Sequence, residues 1–266
     1  MNSSQKQRNF PIVLMYHGIV SQTSLSAETR EKGAVLYDIS LESFHDQMEF
    51  LKSNLCSVTT FQKKENVLNS DRPIIITFDD GELNNFIGAF PVLMEFEFSA
   101  YFFVIANRIG YPGYMGWEKL RDLNAHGMVV GSHGLTHRIL TELSDEELKK
   151  ELFESKSILE KGLKKAVTAF SVPRGFHNPR VIEMARQAGY TEIFTSDRLN
   201  LNFSTSNGIG RVAVKGNWPL TRFKRAVQGY TPFSESLIES LKNITKIILG
   251  GRGYDELRTR LLEGKQ

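Results

Sequence analysis

Runs of consecutive apolar residues alternate along the chain with segments in which apolar residues recur every three or four positions. Ile74, Ile75 and Ile76 form a continuous β-branched run, which is typical of a strand buried on both faces in a parallel sheet. Similar runs predict six further strands, at 11–16, 100–105, 128–131, 167–172, 191–195 and 208–214.

Apolar residues at helical spacing lie between these runs. They predict helices over 41–54, 84–97, 117–126, a long stretch after Ser144, 179–189, and from 221 onward. Ser144 and Glu147 form a capping box that opens the long helix. Strand and helix alternate about seven times without a dividing linker, so the pattern predicts a single α/β domain that forms a closed or nearly closed barrel.

The composition of the chain argues against several classes of function. The chain has 266 residues and a net charge of +3, which is too small to indicate a nucleic-acid partner. Cys56 is the single cysteine, so no internal disulfide can form. The first ten residues are polar, and the apolar run at 12–16 is too short for a signal peptide or a transmembrane segment. We therefore expect a cytoplasmic location, with association at a membrane surface as the alternative.

Two adjacent carboxylates end the isoleucine-rich strand. Asp79 and Asp80 precede Gly81, at the carboxyl end of a predicted buried strand, where α/β folds place their chemistry. Asp-Asp-Gly is also a common turn signature. Buried carboxylates are costly without a nearby cation, so a bound metal explains the pair: one aspartate would be a ligand and the other would move a proton.

A histidine pair follows the fourth predicted strand. Gly131 and Gly134 flank His133, so His133 and His137 are expected in a loop rather than on a helix. This loop would lie at the same end of the barrel as the two aspartates. Two neutral imidazoles and one carboxylate are a usual ligand set for catalytic zinc. Together the two motifs predict a metal site.

The motifs T-F-D-D-G at 77–81 and S-H-G-L-T-H at 132–137 resemble those of the polysaccharide deacetylases, the NodB homology domain or carbohydrate esterase family 4. A-Y-F-F-V at 100–104 and F-S-V-P-R-G at 170–175 extend the resemblance, which runs from about residue 11 to residue 214. It implies a distorted (β/α)7 barrel, a divalent metal, most often zinc, and removal of N- or O-acetyl groups from sugar polymers.

The resemblance also implies roles for individual residues. Asp80, His133 and His137 match the metal ligands of the family, and Asp79 matches its general base. Arg174 stands where the family has an aromatic residue whose backbone amide stabilises the oxyanion, so the amide of Arg174 is the candidate here.

The chain departs from the family pattern in two places. The family often has an arginine that tunes the base two residues before the motif proline, where this chain has Ser171. The sequence leaves open whether Arg174, Arg180 or Arg211 substitutes for it.

The second departure concerns the general acid. The family often has a histidine in a late strand for this role, but the last histidine here is His177. His17, at the end of the first strand, and His177, after the fifth, are the two candidates. His17 is the preferred one.

The substrate-binding candidates are Trp117, Phe176 and His177. The two aromatic rings could stack on sugars or line the core. We expect a barrel domain at 1–220, with C-terminal helices at 221–266 packed on it as an extension.

The expected activity is that of a hydrolase acting on carbon–nitrogen bonds in linear amides. It would remove acetyl groups, N-acetyl above all, from a bacterial surface polysaccharide or its precursor, so a carbohydrate polymer or oligosaccharide is the expected partner. The alternatives are an amide hydrolase that acts on a non-sugar small molecule and a catalytically weak carbohydrate-binding relative.

Overall fold

The computed structural model describes residues 11–21, 34–63, 73–197, 208–230 and 253. Ten strands occur in this part of the chain: β1 Ile12–Tyr16, β2 Ile19–Val20, β3 Ile39–Ser40, β4 Ser57–Thr59, β5 Pro73–Phe78, β6 Ala100–Val104, β7 Val129–Ser132, β8 Ala169–Ser171, β9 Glu192–Phe194 and β10 Val212–Ala213. Six α-helices accompany them: α1 Leu41–Ser53, α2 Phe90–Glu95, α3 Trp117–Ala125, α4 Asp145–Leu163, α5 Pro179–Gln187 and α6 Leu220–Val227.

The main sheet is parallel throughout and runs in the order β10-β1-β5-β6-β7-β8-β9. The short strand β4 pairs with the first half of β5, and β6 pairs with the second half. Ile209 bridges to Phe194 of β9, while Val212 pairs with Leu14 of β1. The segment that ends in β10 therefore joins both edges of the sheet, and the predicted distorted (β/α)7 barrel is confirmed.

Both faces of the sheet are buried, as the continuous apolar runs predict. Val13, Ile75 and Phe103 belong to a cluster drawn from strand residues, which fills the inside of the curled sheet. Their neighbours Leu14 and Ile76 pack outward in a second cluster that includes residues of the surrounding helices. Successive side chains of a strand point to opposite faces, so each strand contributes to both clusters.

Local signals explain the helix boundaries. Helix α4 begins with the predicted capping box, in which Ser144 Oγ accepts from the Glu147 amide and Glu147 accepts from the Ser144 amide. The predicted helix over 84–97 differs in detail: it starts as a π-helical segment, Asn85–Ala89, and continues as α2. Strands β2, β3 and β4 have two or three residues each and were not predicted, because such short pieces show no clear period.

Helix α6 packs against the barrel through Phe223, which is fully buried and meets Phe50 of α1 edge-on at 6.3 Å between ring centroids. The predicted domain boundary between residues 220 and 221 stays a prediction. Most of the predicted C-terminal extension, 231–252 and 254–266, lies outside the described residues. Among the described helices, none combines the length and apolar character that a bilayer crossing requires.

Candidate active site

The loops that follow β5 and β7 bring the two sequence motifs together. The Asp79 amide donates to the carbonyl of Tyr16 at 3.0 Å, and the His133 amide donates to the carbonyl of Val104 at 2.8 Å. These bonds continue the strand ladders past their ends and fix where the motifs begin. Gly81 has φ +73°, and a Cβ at this position would lie 2.7 Å from Val104 Cγ1, so the close approach requires glycine.

Three side chains converge on one point at these strand ends. Asp80 Oδ1 lies 3.5 Å from His133 Nε2 and 3.4 Å from His137 Nε2. All three residues are buried, and their ligand atoms lie within 4.8 Å of one another. Tetrahedral zinc with ligands at its usual distances holds neighbouring ligand atoms about 3.4 Å apart. The spacing therefore fits a zinc ion between the three residues.

The chemistry of the donor set supports the same fit. Among the described residues, Asp80 Oδ1 is buried with no hydrogen-bond donor, which is costly for a carboxylate oxygen unless a cation binds it. Asp80 also has φ +74°, a conformation that non-glycine residues adopt at a cost of about 1–3 kcal/mol. The surroundings thus hold Asp80 in an unfavourable backbone conformation that aims its carboxylate at the two imidazoles.

The surroundings of His133 favour the neutral form of its ring, with Nε2 free to bind a metal. Its Nδ1 donates to the carbonyl of Ser171 at 2.9 Å, which leaves Nε2 unprotonated and directed at Asp80. Burial lowers the pKa of His133 to about 4. The ring is therefore neutral at pH 7, the form that binds metals.

Asp79 is held by Arg211 in a buried bidentate ion pair. Arg211 Nη1 donates to Asp79 Oδ1 and Nη2 to Oδ2, both at 2.8 Å, and Ser171 Oγ donates to Oδ2 at 3.2 Å. Burial alone would raise the pKa of Asp79, but the positive charge of Arg211 outweighs it and holds this pKa well below its usual range. Asp79 is therefore ionised at neutral pH.

Arg211, one of the three arginines that the sequence left open as a substitute, contacts Asp79 directly. It comes from the closing segment of the barrel, is 1% exposed, and also donates to Thr77 Oγ1, Thr195 O and Ser171 Oγ. Ser171 thus leaves room for a guanidinium that arrives from another strand. Arg180, one of the other two candidates, lies at the surface and donates to Asp145 and to the Leu143 carbonyl. The sequence contains a signal for this role, since Arg211 places a charged side chain within a run that is predicted as a buried strand.

His17 lies at the end of the strand next to the one that Asp79 follows. It directly follows β1, next to the end of β5, and is close enough to Asp79 for a charge on its ring to lower the pKa of that carboxyl. Its ring stacks on Tyr37 at 4.8 Å between centroids. Within the described part of the chain, His17 Nδ1 is buried and has no hydrogen-bond partner. The structure therefore places His17 at the same strand ends as the aspartate pair.

The loop after β8 carries three further predicted residues. Arg174 has φ +56° inside the short helical turn Pro173–Gly175. Phe176 is buried, and His177 Nδ1 lies 3.2 Å from the Gly175 carbonyl. This loop leaves the barrel at the same end as the candidate metal ligands, since β8 is parallel to β7. The roles predicted for these residues stay predictions.

Trp117 lies in the helical layer. Its ring is half-buried against Gly162 of α4, where a Cβ would come within 2.1 Å of Trp117 Cζ3. The Arg121 guanidinium lies over the same ring at 6.0 Å. This packing accounts for the residue without a substrate, so the binding role predicted for Trp117 gains no support from its position.

Enzymes built on parallel barrels carry their active sites at the carboxyl ends of the strands, which is where this chain gathers its carboxylates and imidazoles. The model of the polysaccharide deacetylase family matches residues 66–193. This match includes the aspartate pair, the histidine pair and the turn after β8. The chain is therefore similar to the polysaccharide deacetylase family over residues 66–193.

Two curated proteins show a similarity of the same kind. YxkH of Bacillus subtilis, provisionally named a polysaccharide deacetylase, is 29% identical over 188 residues, which cover 70% of this chain and 64% of YxkH. The peptidoglycan-N-acetylglucosamine deacetylase of Bacillus cereus is 30% identical over 131 residues, or 49% of this chain and 59% of that protein. The chain thus spans less than two thirds of either relative.

A solved structure shows the same fold. The crystal structure of a polysaccharide deacetylase from Bacillus cereus superposes with a TM-score of 0.71 and 24% identity, covering 82% of this chain and 68% of that one. Fold and family therefore agree.

Proposed function

We propose that the protein is a metal-dependent deacetylase that hydrolyses N-acetyl groups on a bacterial surface polysaccharide or its precursor. The observation that carries the proposal is the juxtaposition of an Asp80–His133–His137 ligand set with an ionised Asp79 at one end of the barrel. A protein that only bound sugar would have no need of a buried proton acceptor beside a metal-ligand set.

Asp80, His133 and His137 would hold the metal, with zinc as the preferred ion because of the ligand types and their spacing. A divalent ion bound there supplies Lewis acidity, which polarises the acetyl carbonyl and acidifies water.

Asp79 acts as the general base. Arg211 fixes both carboxylate oxygens and keeps Asp79 ionised, so the carboxylate can take a proton from the attacking water. The water oxygen adds to the acetyl carbon, and the carbon–nitrogen bond then breaks. The products are acetate and a free amine on the sugar.

His17 is our candidate for the general acid. The departing amine needs a proton, and the half-buried ring of His17, which follows the strand next to β5, carries a nitrogen with no partner among the described residues. Its stacking on Tyr37 would hold the ring in a fixed orientation. The backbone amide of Arg174 would stabilise the oxyanion, with Phe176 and His177 beside the substrate.

The substrate class comes from the family and its members. The Bacillus cereus relative is named for N-acetylglucosamine in peptidoglycan, and an N-acetylated hexosamine fits the chemistry of this site. We therefore propose N-acetylglucosamine-containing oligosaccharides as the first substrates to test.

The test measures acetate release from N-acetylglucosamine oligomers by metal-stripped protein, with and without added zinc or cobalt. We expect release only with metal. Asp79→Asn should lower kcat by about 10²–10⁴-fold, because it removes the base. It should leave metal binding intact, since Asp79 is not among the three converging ligands. Equal activity of wild type and Asp79→Asn would overturn the proposal.

His17→Ala decides the identity of the acid. We expect a similar loss of kcat, with most of the activity retained on an acetyl ester whose leaving group needs no protonation. An equal loss on both substrates would assign His17 a structural role instead.

A further inference from the structure

The loop that carries both histidine ligands has an unusual backbone. Gly134 has φ +76° and His137 has φ +65°. Glycine adopts such angles readily, but a histidine does so at a cost and keeps the conformation only where its surroundings enforce it. Something must therefore hold residues 134–137 so that His137 Nε2 reaches Asp80.

Glu151 makes the contacts that hold this loop. It lies on helix α4, is 3% exposed, and accepts hydrogen bonds from the amides of Leu135 at 2.9 Å and Thr136 at 3.0 Å. The hydroxyl of Thr136 donates to the other carboxylate oxygen. Glu151 thus satisfies two consecutive amides and a side chain immediately before His137.

A second contact from the same helix holds the loop on the other side of His133. Ser155, one turn after Glu151, accepts a hydrogen bond from Ser132 Oγ at 3.1 Å. Ser132 Oγ in turn accepts from the Gly134 amide at 3.2 Å. Residues four apart on a helix share a face, so α4 presents two polar groups to one loop. This arrangement leaves the loop little freedom to move relative to the barrel.

We propose that Glu151 is a positioning residue that sets the metal affinity of the site by fixing the turn from which His137 projects. The inference rests on the proposed function, because it assumes that Asp80, His133 and His137 bind a metal. Glu151 touches neither the ligand atoms nor the reacting atoms. It acts through the backbone of residues 135 and 136.

The variants separate geometry from charge. Glu151→Ala removes all three hydrogen bonds. Glu151→Gln keeps the shape, since its amide oxygen can accept from the two backbone amides while its NH₂ group donates to Thr136. Thr136→Ala removes one contact from an exposed position, and it remains informative if Glu151→Ala folds poorly. Glu154→Ala changes an exposed glutamate of the same helix and is the matched control.

The measurement is the dissociation constant for zinc, obtained by competition with a chromophoric chelator in the absence of substrate. The cobalt absorption spectrum and the thermal unfolding of each metal-free protein accompany it. Removing a group that orients a ligand typically weakens metal binding about 10–100-fold, and we expect this for Glu151→Ala. Glu151→Gln and Glu154→Ala should stay within about threefold of wild type, with Thr136→Ala in between.

A purely structural role gives a different result. Leu159→Ala truncates a fully buried residue of α4 that belongs to the apolar core. It should lower the unfolding temperature without changing the zinc affinity of the folded protein. If Glu151→Ala binds zinc as wild type does, or if Glu151→Gln loses as much affinity as Glu151→Ala, the inference is wrong. If the wild type binds no metal, the proposed function fails, and the inference fails with it.

Discussion

At the scale of single residues, the buried pair of Asp79 and Arg211 has the largest predicted effect. Arg211→Met would leave the carboxylate buried without its partner, and such losses typically destabilise by about 3–5 kcal/mol. Asp79→Asn in the Arg211→Met background removes the charge, so the double variant should lose less stability than the two single losses combined. The expected coupling is about 1–3 kcal/mol.

Urea unfolding of the metal-free proteins measures this coupling from four proteins: the wild type, the two single variants and the double variant. Arg225→Met, which changes an exposed arginine of α6, serves as the control and should stay within about 0.5 kcal/mol of wild type. Strictly additive losses would contradict a direct pairing of Asp79 with Arg211.

The same residues show how far sequence reasoning reaches. Asp79 and Asp80 are adjacent, and His133 and His137 are four positions apart, so each pair is visible as a local motif. Arg211 lies 132 positions from Asp79. No local pattern connects them, so the partner of the base depends on which strand closes the barrel.

At the scale of elements, Gly131 of β7 allows close packing next to the histidine loop. A Cβ there would lie 2.6 Å from the ring of Phe103 and 2.9 Å from the carbonyl of Ala169. We expect Gly131→Ala to destabilise the protein by about 1–3 kcal/mol through overpacking.

Thermal unfolding measures this effect, and relief by Phe103→Leu in the same chain would assign it to the ring contact. A Gly131→Ala protein as stable as wild type would show that the sheet relaxes at no cost.

Strands and helices could be predicted from the sequence where burial gives their apolar residues a recognisable spacing. β5 and β6 are buried at every position and appear as continuous apolar runs. The capping box of α4 is equally explicit. The π-helical segment Asn85–Ala89 has no comparable signal, because its apolar spacing also suits an ordinary helix.

At the scale of the whole molecule, the segment that closes the barrel also completes the candidate site. The segment 209–213 joins β9 to β1, and it carries Arg211 to Asp79. The sequence predicts seven strands of the main sheet, but the order in which the last one closes the ring depends on contacts far apart in the chain.

The proposed metal should stabilise this whole arrangement, because its ligands come from the ends of β5 and β7, which flank β6. Free zinc at about 100 times its dissociation constant adds about 2.7 kcal/mol to the stability of a folded protein that binds it at one site. For a chain of this size that corresponds to an increase in Tm of about 5–10 °C. Scanning calorimetry of metal-stripped protein with and without zinc measures the increase, and His137→Ala should abolish it. An equal increase in His137→Ala would place the bound zinc elsewhere on the molecule.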